Sequence, residues 1–240
     1  MLRRIHAFYA LMSFVTLFLI FFPLLLIPIL SPARFRMVGK VNRWWAYASF
    51  YSWFLPIRIE LKSALNPKAQ YIFCPNHFSY LDIPAMALNP HDTIFVGKHD
   101  MENIPLFGFM YRKLHITVDR SRLKSKYSTY LQSLEALDQG KSLTIFPEGG
   151  IVSKSIPAME RFKDGPFRLA VEKGIPIVPV TMPDNWLILK EDPFRIYSGT
   201  VKLIFHEPVI PMENSPAELD RIKKKVFEVI QAELSQCKPT

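Results

Sequence analysis

Cysteine is almost absent from this 240-residue chain, which has only Cys74 and Cys237, far apart. Two such residues supply neither a disulfide framework nor a zinc-ligand pattern, and they fit a reducing compartment. Acidic residues are also scarce, 21 Asp and Glu against 30 Lys and Arg, so the formal net charge is +9. That surplus suits nucleic acid, an anionic membrane surface or a phosphorylated substrate. No single basic tract dominates, and zinc-finger, RNP-type and KH-type signatures are missing, so no nucleic-acid partner is expected. The chain also lacks a Gly-x-Ser-x-Gly nucleophile elbow, internal repeats and low-complexity segments.

Charge is missing altogether from Ala7 to Leu30, a run rich in Phe, Leu and Ile. It reaches the roughly 20 residues needed to cross a bilayer core. It is too long for a signal-peptide core and has no clear small-residue cleavage site behind it, so it reads as retained. Pro23 and Pro28 fall inside it and are expected to kink a helix. A second apolar stretch follows with Trp44, Trp45, Tyr47, Tyr51 and Trp53, residues that favour the headgroup layer. Between the two lie Arg34, Arg36, Lys40 and Arg43, against only Arg3 and Arg4 before the first. The larger cluster puts the rest of the chain on the cytoplasmic side, at a bacterial inner membrane. A span and a shallow hairpin both fit. Residues 1–55 therefore form a membrane-anchoring helical segment, and 56–240 a second unit.

From Ile57 onwards, short apolar runs alternate with polar, helix-like stretches. Strands are expected at Ile57–Leu61, Tyr71–Cys74, Thr93–Val96, His115–Val118, Leu143–Phe146, Ile175–Val180 and Val201–Phe205. Helices are expected from Ser121 to Asp138, from a cap at Asp164 to Lys173, and after the capping box Ser215-Pro216-Ala217-Glu218. Strands alternating with helices give an α/β fold with a largely parallel, layered sheet flanked by helices, whose sites form at the carboxyl ends of strands.

Three strand ends carry chemistry. The first is Asn76-His77-Phe78-Ser79-Tyr80-Leu81-Asp82, where Pro84 sets a helix start near Leu81 or Asp82. A turn can bring His77 and Asp82 together. A carboxylate on one imidazole nitrogen orients the ring, leaving the other nitrogen to take a proton from an alcohol. A helix-capping Asp82 beside a satisfied turn histidine fits the spacing as well. The second is His115-Ile116-Thr117-Val118-Asp119-Arg120, where Arg120 could clamp an anion bidentately or simply pair with Asp119 at the surface. The third is Phe146-Pro147-Glu148-Gly149-Gly150, where adjacent glycines allow backbone N–H groups to face a phosphate, and Glu148 could orient a cation or a hydroxyl. In a parallel sheet these ends share one edge.

In their order and approximate spacing, the NHFSYLD, ITVDR and FPEGG segments resemble the glycerolipid acyltransferases, most closely the lysophosphatidic acid acyltransferase type. The run from Phe162 to Ala170 and the strand Ile175–Val180 match later blocks of that family, so the resemblance covers roughly Ile57 to Pro208. It implies transfer of a fatty acyl group from an acyl thioester to the sn-2 hydroxyl of 1-acylglycerol 3-phosphate. His77 would be the base, Asp82 would orient it, and Asn76 would support the turn or the oxyanion. Arg120, Glu148, Gly149 and Gly150 would hold the acceptor's phosphate. The implied partners are a phospholipid membrane, a lysophospholipid acceptor and a thioester of acyl carrier protein or coenzyme A, with no metal and no other cofactor. Gly150 and Ile151 depart from the usual Thr and basic residue of the third block, and Lys113-Leu114-His115 departs from the Gly and aromatic pattern expected there. A different lysophospholipid or a lyso-aminolipid acceptor is the alternative, and a non-catalytic lipid-binding membrane protein the second.

Overall fold

The computed structural model describes residues 2–119, 122–191 and 194–237. The apolar N-terminus forms α1 (Leu2–Leu30), about 43 Å long at 1.5 Å per residue, and it continues through Pro23 and Pro28. It is long and apolar enough to cross a membrane. A short 3₁₀ turn at Pro32–Arg34 leads into α2 (Met37–Ser52). α1 lies against α2, with Phe14 stacked on Trp45 at 4.4 Å between ring centroids, and with Phe18 wedged between Trp45 and Phe107. Ala7, Ala10, Ala46, Phe50 and Trp53 join the same buried cluster as Phe73, Val180 and Phe205 of the sheet. The outer face of α1, including Leu11, Val15, Leu19 and Ile20, is exposed.

The strands of the main sheet are β1 (Ile57–Leu61), β2 (Ile72–Pro75), β3 (Thr93–Lys98), β4 (Ile116–Val118), β5 (Ser142–Ile145), β6 (Ile177–Thr181) and, after a hairpin, β9 (Val201–Phe205). All seven match expected strands to within a few residues. Their order is β1-β9-β6-β2-β5-β3-β4, and every neighbouring pair is parallel except β6 and β9. The carboxyl ends of β2, β3, β4, β5 and β6 therefore share one edge. The remaining helices are α3 (Asp82–Met86), α4 (Phe107–Leu114), α5 (Leu123–Asp138), α6 (Gly165–Lys173), α7 (Asn185–Ile188) and α8 (Pro216–Gln236).

Side-chain alternation along the strands builds two cores. Phe73 faces α1, α2 and α3, whereas Ile72 and Cys74 face α5, α6 and α8. On α8, Ile222, Val226, Ile230 and Leu234 recur every four residues and are all buried. Each such side chain contributes about 2 kcal/mol of hydrophobic stabilisation.

Local signals hold in part. Ser215 Oγ accepts the Glu218 N–H at 3.1 Å, so the first half of the expected capping box forms. The Glu218 carboxylate instead takes the Met212 N–H and the Arg221 guanidinium, which offers two charged donors where Ser215 offers one neutral one. Asp164 lies in helical conformation and makes no cap, because its carboxylate is held by Lys223 at 2.8 Å. Gly174 ends α6 in the left-handed conformation, φ 63°. The proposed cap Ser121 lies outside the described residues. The hairpin β7 (Leu189–Glu191) and β8 (Phe194–Ile196), and the helix α4, were not expected.

Candidate active site

β2 ends at Pro75, and the chain turns sharply into α3. Asn76 pins this turn: its Nδ2 donates to the Met182 carbonyl at 3.0 Å and its Oδ1 accepts the Met182 N–H at 2.7 Å. The bonded side chain thus stitches the end of β2 to the end of β6, its parallel neighbour. Both polar ends of the amide are engaged by backbone, which is the turn-supporting role.

His77 follows. Its Nδ1 lies 3.1 Å from Asp82 Oδ2, so the four-residue gap is closed by the turn. The same Oδ2 accepts the N–H groups of Phe78 and Ser79 at 2.8 and 2.9 Å. Asp82 is fully buried at the start of α3, and Oδ1 takes a fourth donor, Asn185 Nδ2, at 2.9 Å. Four donors hold this carboxylate in one orientation. It can then accept a hydrogen bond from Nδ1–H, which fixes the tautomer with Nε2 unprotonated and able to serve as a base.

The third expected turn lies directly beside the first, because β5 pairs with β2. Phe146 stacks under the His77 ring, 4.1 Å between centroids. Glu148 is buried, and its carboxylate is directed into the protein: Oε1 accepts the His77 N–H at 2.8 Å, and Oε2 accepts the Glu160 N–H at 3.1 Å. Burial pushes its pKa up to about 7, against the pull of these two N–H donors. Gly149, at φ 82°, closes the turn by donating to the Phe146 carbonyl at 3.1 Å. A β-branched or bulky residue would be strained there. Gly150 follows, half-buried. The aliphatic part of Lys163 lies over this turn, 3.6 Å from where a β-carbon on Gly149 would stand.

The second expected turn stands apart. β4 is the edge strand, three places from β2, which is about 14 Å at about 4.8 Å per strand. Asp119 pairs with Arg122 at 3.2 Å. Arg120 lies outside the described residues.

Cys74, two residues before Asn76, is no rival nucleophile. It is fully buried, and burial raises its thiol well above the usual range, which disfavours the thiolate.

The strand-end reading missed Asn185. It follows β6, whose carboxyl end lies on the same edge and beside β2. The rule that picked the other three ends applies equally to this one, where Thr181-Met182-Pro183-Asp184-Asn185 leaves the strand.

Residues 56–183 match the family described as Acyltransferase. A 1-acyl-sn-glycerol-3-phosphate acyltransferase of Chlamydomonas reinhardtii is 26% identical over 238 residues, covering 94% of this chain and 70% of the alga's. A chloroplastic enzyme of the same name from Arabidopsis thaliana is 26% identical, over 75% of this chain and 50% of its own. One from Helicobacter pylori is 28% identical, over 63% and 64%. The chain thus spans between half and about 70% of these relatives. The crystal structure of the 1-acyl-sn-glycerophosphate acyltransferase PlsC from Thermotoga maritima shares the fold, with a TM-score of 0.78, 21% identity and coverage of 99% of this chain and 100% of that one. The match takes in both joined turns, His77 to Asp82 and Phe146 to Gly150, and the chain belongs to the acyltransferase family.

Proposed function

We propose that this protein transfers a fatty acyl group from an acyl thioester to the free sn-2 hydroxyl of 1-acylglycerol 3-phosphate, giving phosphatidic acid. The observation that carries the reading is the bond between His77 Nδ1 and Asp82 Oδ2, in a chain whose relatives carry that activity in their names. Nε2 of His77 takes the proton of the acceptor hydroxyl as its oxygen attacks the thioester carbonyl. The C–S bond then breaks, and the imidazolium returns the proton to the departing thiolate. Asp82 stabilises the imidazolium between those steps.

The acceptor's phosphate is assigned to the Gly149-Gly150 turn and Arg120, with Lys163 over the turn supplying a cation where Ile151 does not. Glu148 is assigned a positioning role, because its carboxylate holds the His77 backbone instead of facing a ligand. The donor is a thioester of acyl carrier protein or coenzyme A, either of which suits a net charge of +9.

The same proposal places α1 and α2 at a phospholipid membrane, with the α/β domain on the cytoplasmic side. α1 lies lengthwise on α2 and α4 with an apolar outer face, which supports a helix lying in the interface over one standing free across the bilayer.

The test gives the detergent-purified protein a labelled acyl thioester and lysolipids with different headgroups, wild type beside His77→Ala. Labelled phosphatidic acid from wild type only is the expected result. Preference for another headgroup would move the acceptor assignment to the alternative lysolipid. An active His77→Ala variant would overturn the catalytic role of His77.

A further inference from the structure

We propose that Asn185 is a positioning residue for the acyl transfer, acting on His77 through the free oxygen of Asp82. The proposal rests on the His77–Asp82 chemistry assigned above.

Asp82 Oδ2 is gripped from one side by Phe78 N–H, Ser79 N–H and His77 Nδ1. Those bonds converge on one oxygen and leave the other to be met from elsewhere. Oδ1 carries the remaining load, and among the described residues Asn185 is its donor, at 2.9 Å. Asn185 is fully buried, so the bond is made away from water and is not replaced by solvent when lost.

The amide orientation is dictated by its neighbour. Turning it over would set two oxygens against each other, so Nδ2 must face Asp82. Oδ1 of Asn185 is consequently left buried with no hydrogen-bond partner among the described residues. A side chain selected for packing or for its own satisfaction would not carry that orphan. It is consistent with a group held for its donor alone.

The backbone supports the same job. Leu187 and Ile188 N–H groups return to the Asp184 carbonyl, and Trp186 Nε1 donates to the Pro183 carbonyl at 2.9 Å, so the turn after β6 is closed on itself. Three residues earlier, Met182 holds Asn76. One segment thus fixes both ends of the first turn, Asn76 by backbone and Asp82 by the Asn185 side chain. Among the described residues, His77 and Glu148 are ionisable neighbours of Asp82. Asp184, next in sequence, faces Lys202 of β9.

The experiment compares wild type with Asn185→Leu, Asn185→Ala and Asn185→Asp. Readouts are kcat and KM across pH, thermal unfolding, and reaction of His77 with diethyl pyrocarbonate followed on its own peptide. In the leucine and alanine variants kcat should fall about tenfold or more with KM unchanged, the scale found when an outer partner of a working group is removed. Asn185→Asp should behave differently, because a carboxyl can donate to Asp82 only while protonated. Its activity relative to wild type should be highest in acid and fall as pH rises and the second carboxylate ionises. The added negative charge should also raise the pH at which His77 becomes reactive. Two results would overturn the proposal: wild-type kcat in whichever of the leucine and alanine variants folds, or a pH-independent activity ratio for Asn185→Asp with unchanged His77 reactivity. The diethyl pyrocarbonate arm needs no lipid, so it still decides the role of Asn185 if lysophosphatidic acid proves not to be the acceptor.

Discussion

Glu148 Oε1 accepts the backbone N–H of His77 at 2.8 Å, so the base of one turn hangs from the carboxylate of the next. Glu160 N–H holds the other oxygen, and Phe146 stacks under the imidazole. The two turns are therefore tied to each other, which suits a reacting nitrogen whose position must survive substrate entry. The cost is a carboxylate placed in the interior.

That cost predicts a pH-dependent stability. An unperturbed carboxyl of this type titrates near 4.5, and burial pushes Glu148 up to about 7 in the folded protein. Between those values the folded state holds the proton and the unfolded state has released it. Stability is thus full below the lower value and falls as pH rises towards the upper one, by about 3 kcal/mol across the window. Glu148→Gln cannot ionise and should lose this contribution to the slope. Unfolding measured from acid to neutral pH should show a steeper decline in wild type than in the variant. Parallel slopes would mean that Glu148 titrates alike in the folded and unfolded chain.

Asp82→Asn is predicted to separate catalysis from folding. The amide retains one acceptor oxygen for the turn but offers no charge to the imidazolium and no dependable acceptor for Nδ1. We expect kcat to fall about 1,000-fold or more, with KM changed less than about threefold. Steady-state kinetics on folded variant would check it. A loss smaller than about tenfold would reduce Asp82 to a structural anchor of the turn.

Ser215→Ala tests a purely structural bond. Ser215 Oγ caps α8 through the Glu218 N–H, and its loss should cost about 1 kcal/mol. Thermal unfolding should drop by roughly 2–4 °C, and activity per folded molecule should be unchanged.

The main sheet was legible because its strands are short, apolar and bounded by Pro, Gly or Asn, as Ile72–Pro75 and Ser142–Ile145 illustrate. The two joined turns were legible for the same reason: each leaves a strand at its carboxyl end. Partners were harder to read. Glu148 looks like a ligand-facing acid in sequence, but the pairing of β2 with β5 directs it onto His77. Asn185 is 103 residues from Asp82, and only the β2–β6 pairing brings them together. Asp164 carried a correct cap signal, yet Lys223, 59 residues away, claims its carboxylate. Charge capture across the fold outweighs a local bond to a neutral N–H. The β7–β8 hairpin left no clear alternation because its strands have three residues each.

The outer face of α1 gives the last prediction. Leu19 and Ile20 are at least half exposed, whereas Phe18, one residue earlier, is buried against Phe22, Trp45 and Phe107. Adjacent positions on one helix therefore separate membrane contact from folding. Leu19→Glu combined with Ile20→Glu should weaken sedimentation with phosphatidylethanolamine–phosphatidylglycerol vesicles at least about tenfold, since burying carboxylates in acyl chains is costly. Unfolding in detergent should be unchanged. Phe18→Ala should do the reverse: it opens a cavity worth about 3–5 kcal/mol, and the variant should still bind vesicles while folded. If the double glutamate variant sediments like wild type, attachment rests instead on the basic turn of Arg34, Arg36 and Lys40. In that case 0.5 M salt, at which the Debye length is only about 4 Å, should release the protein.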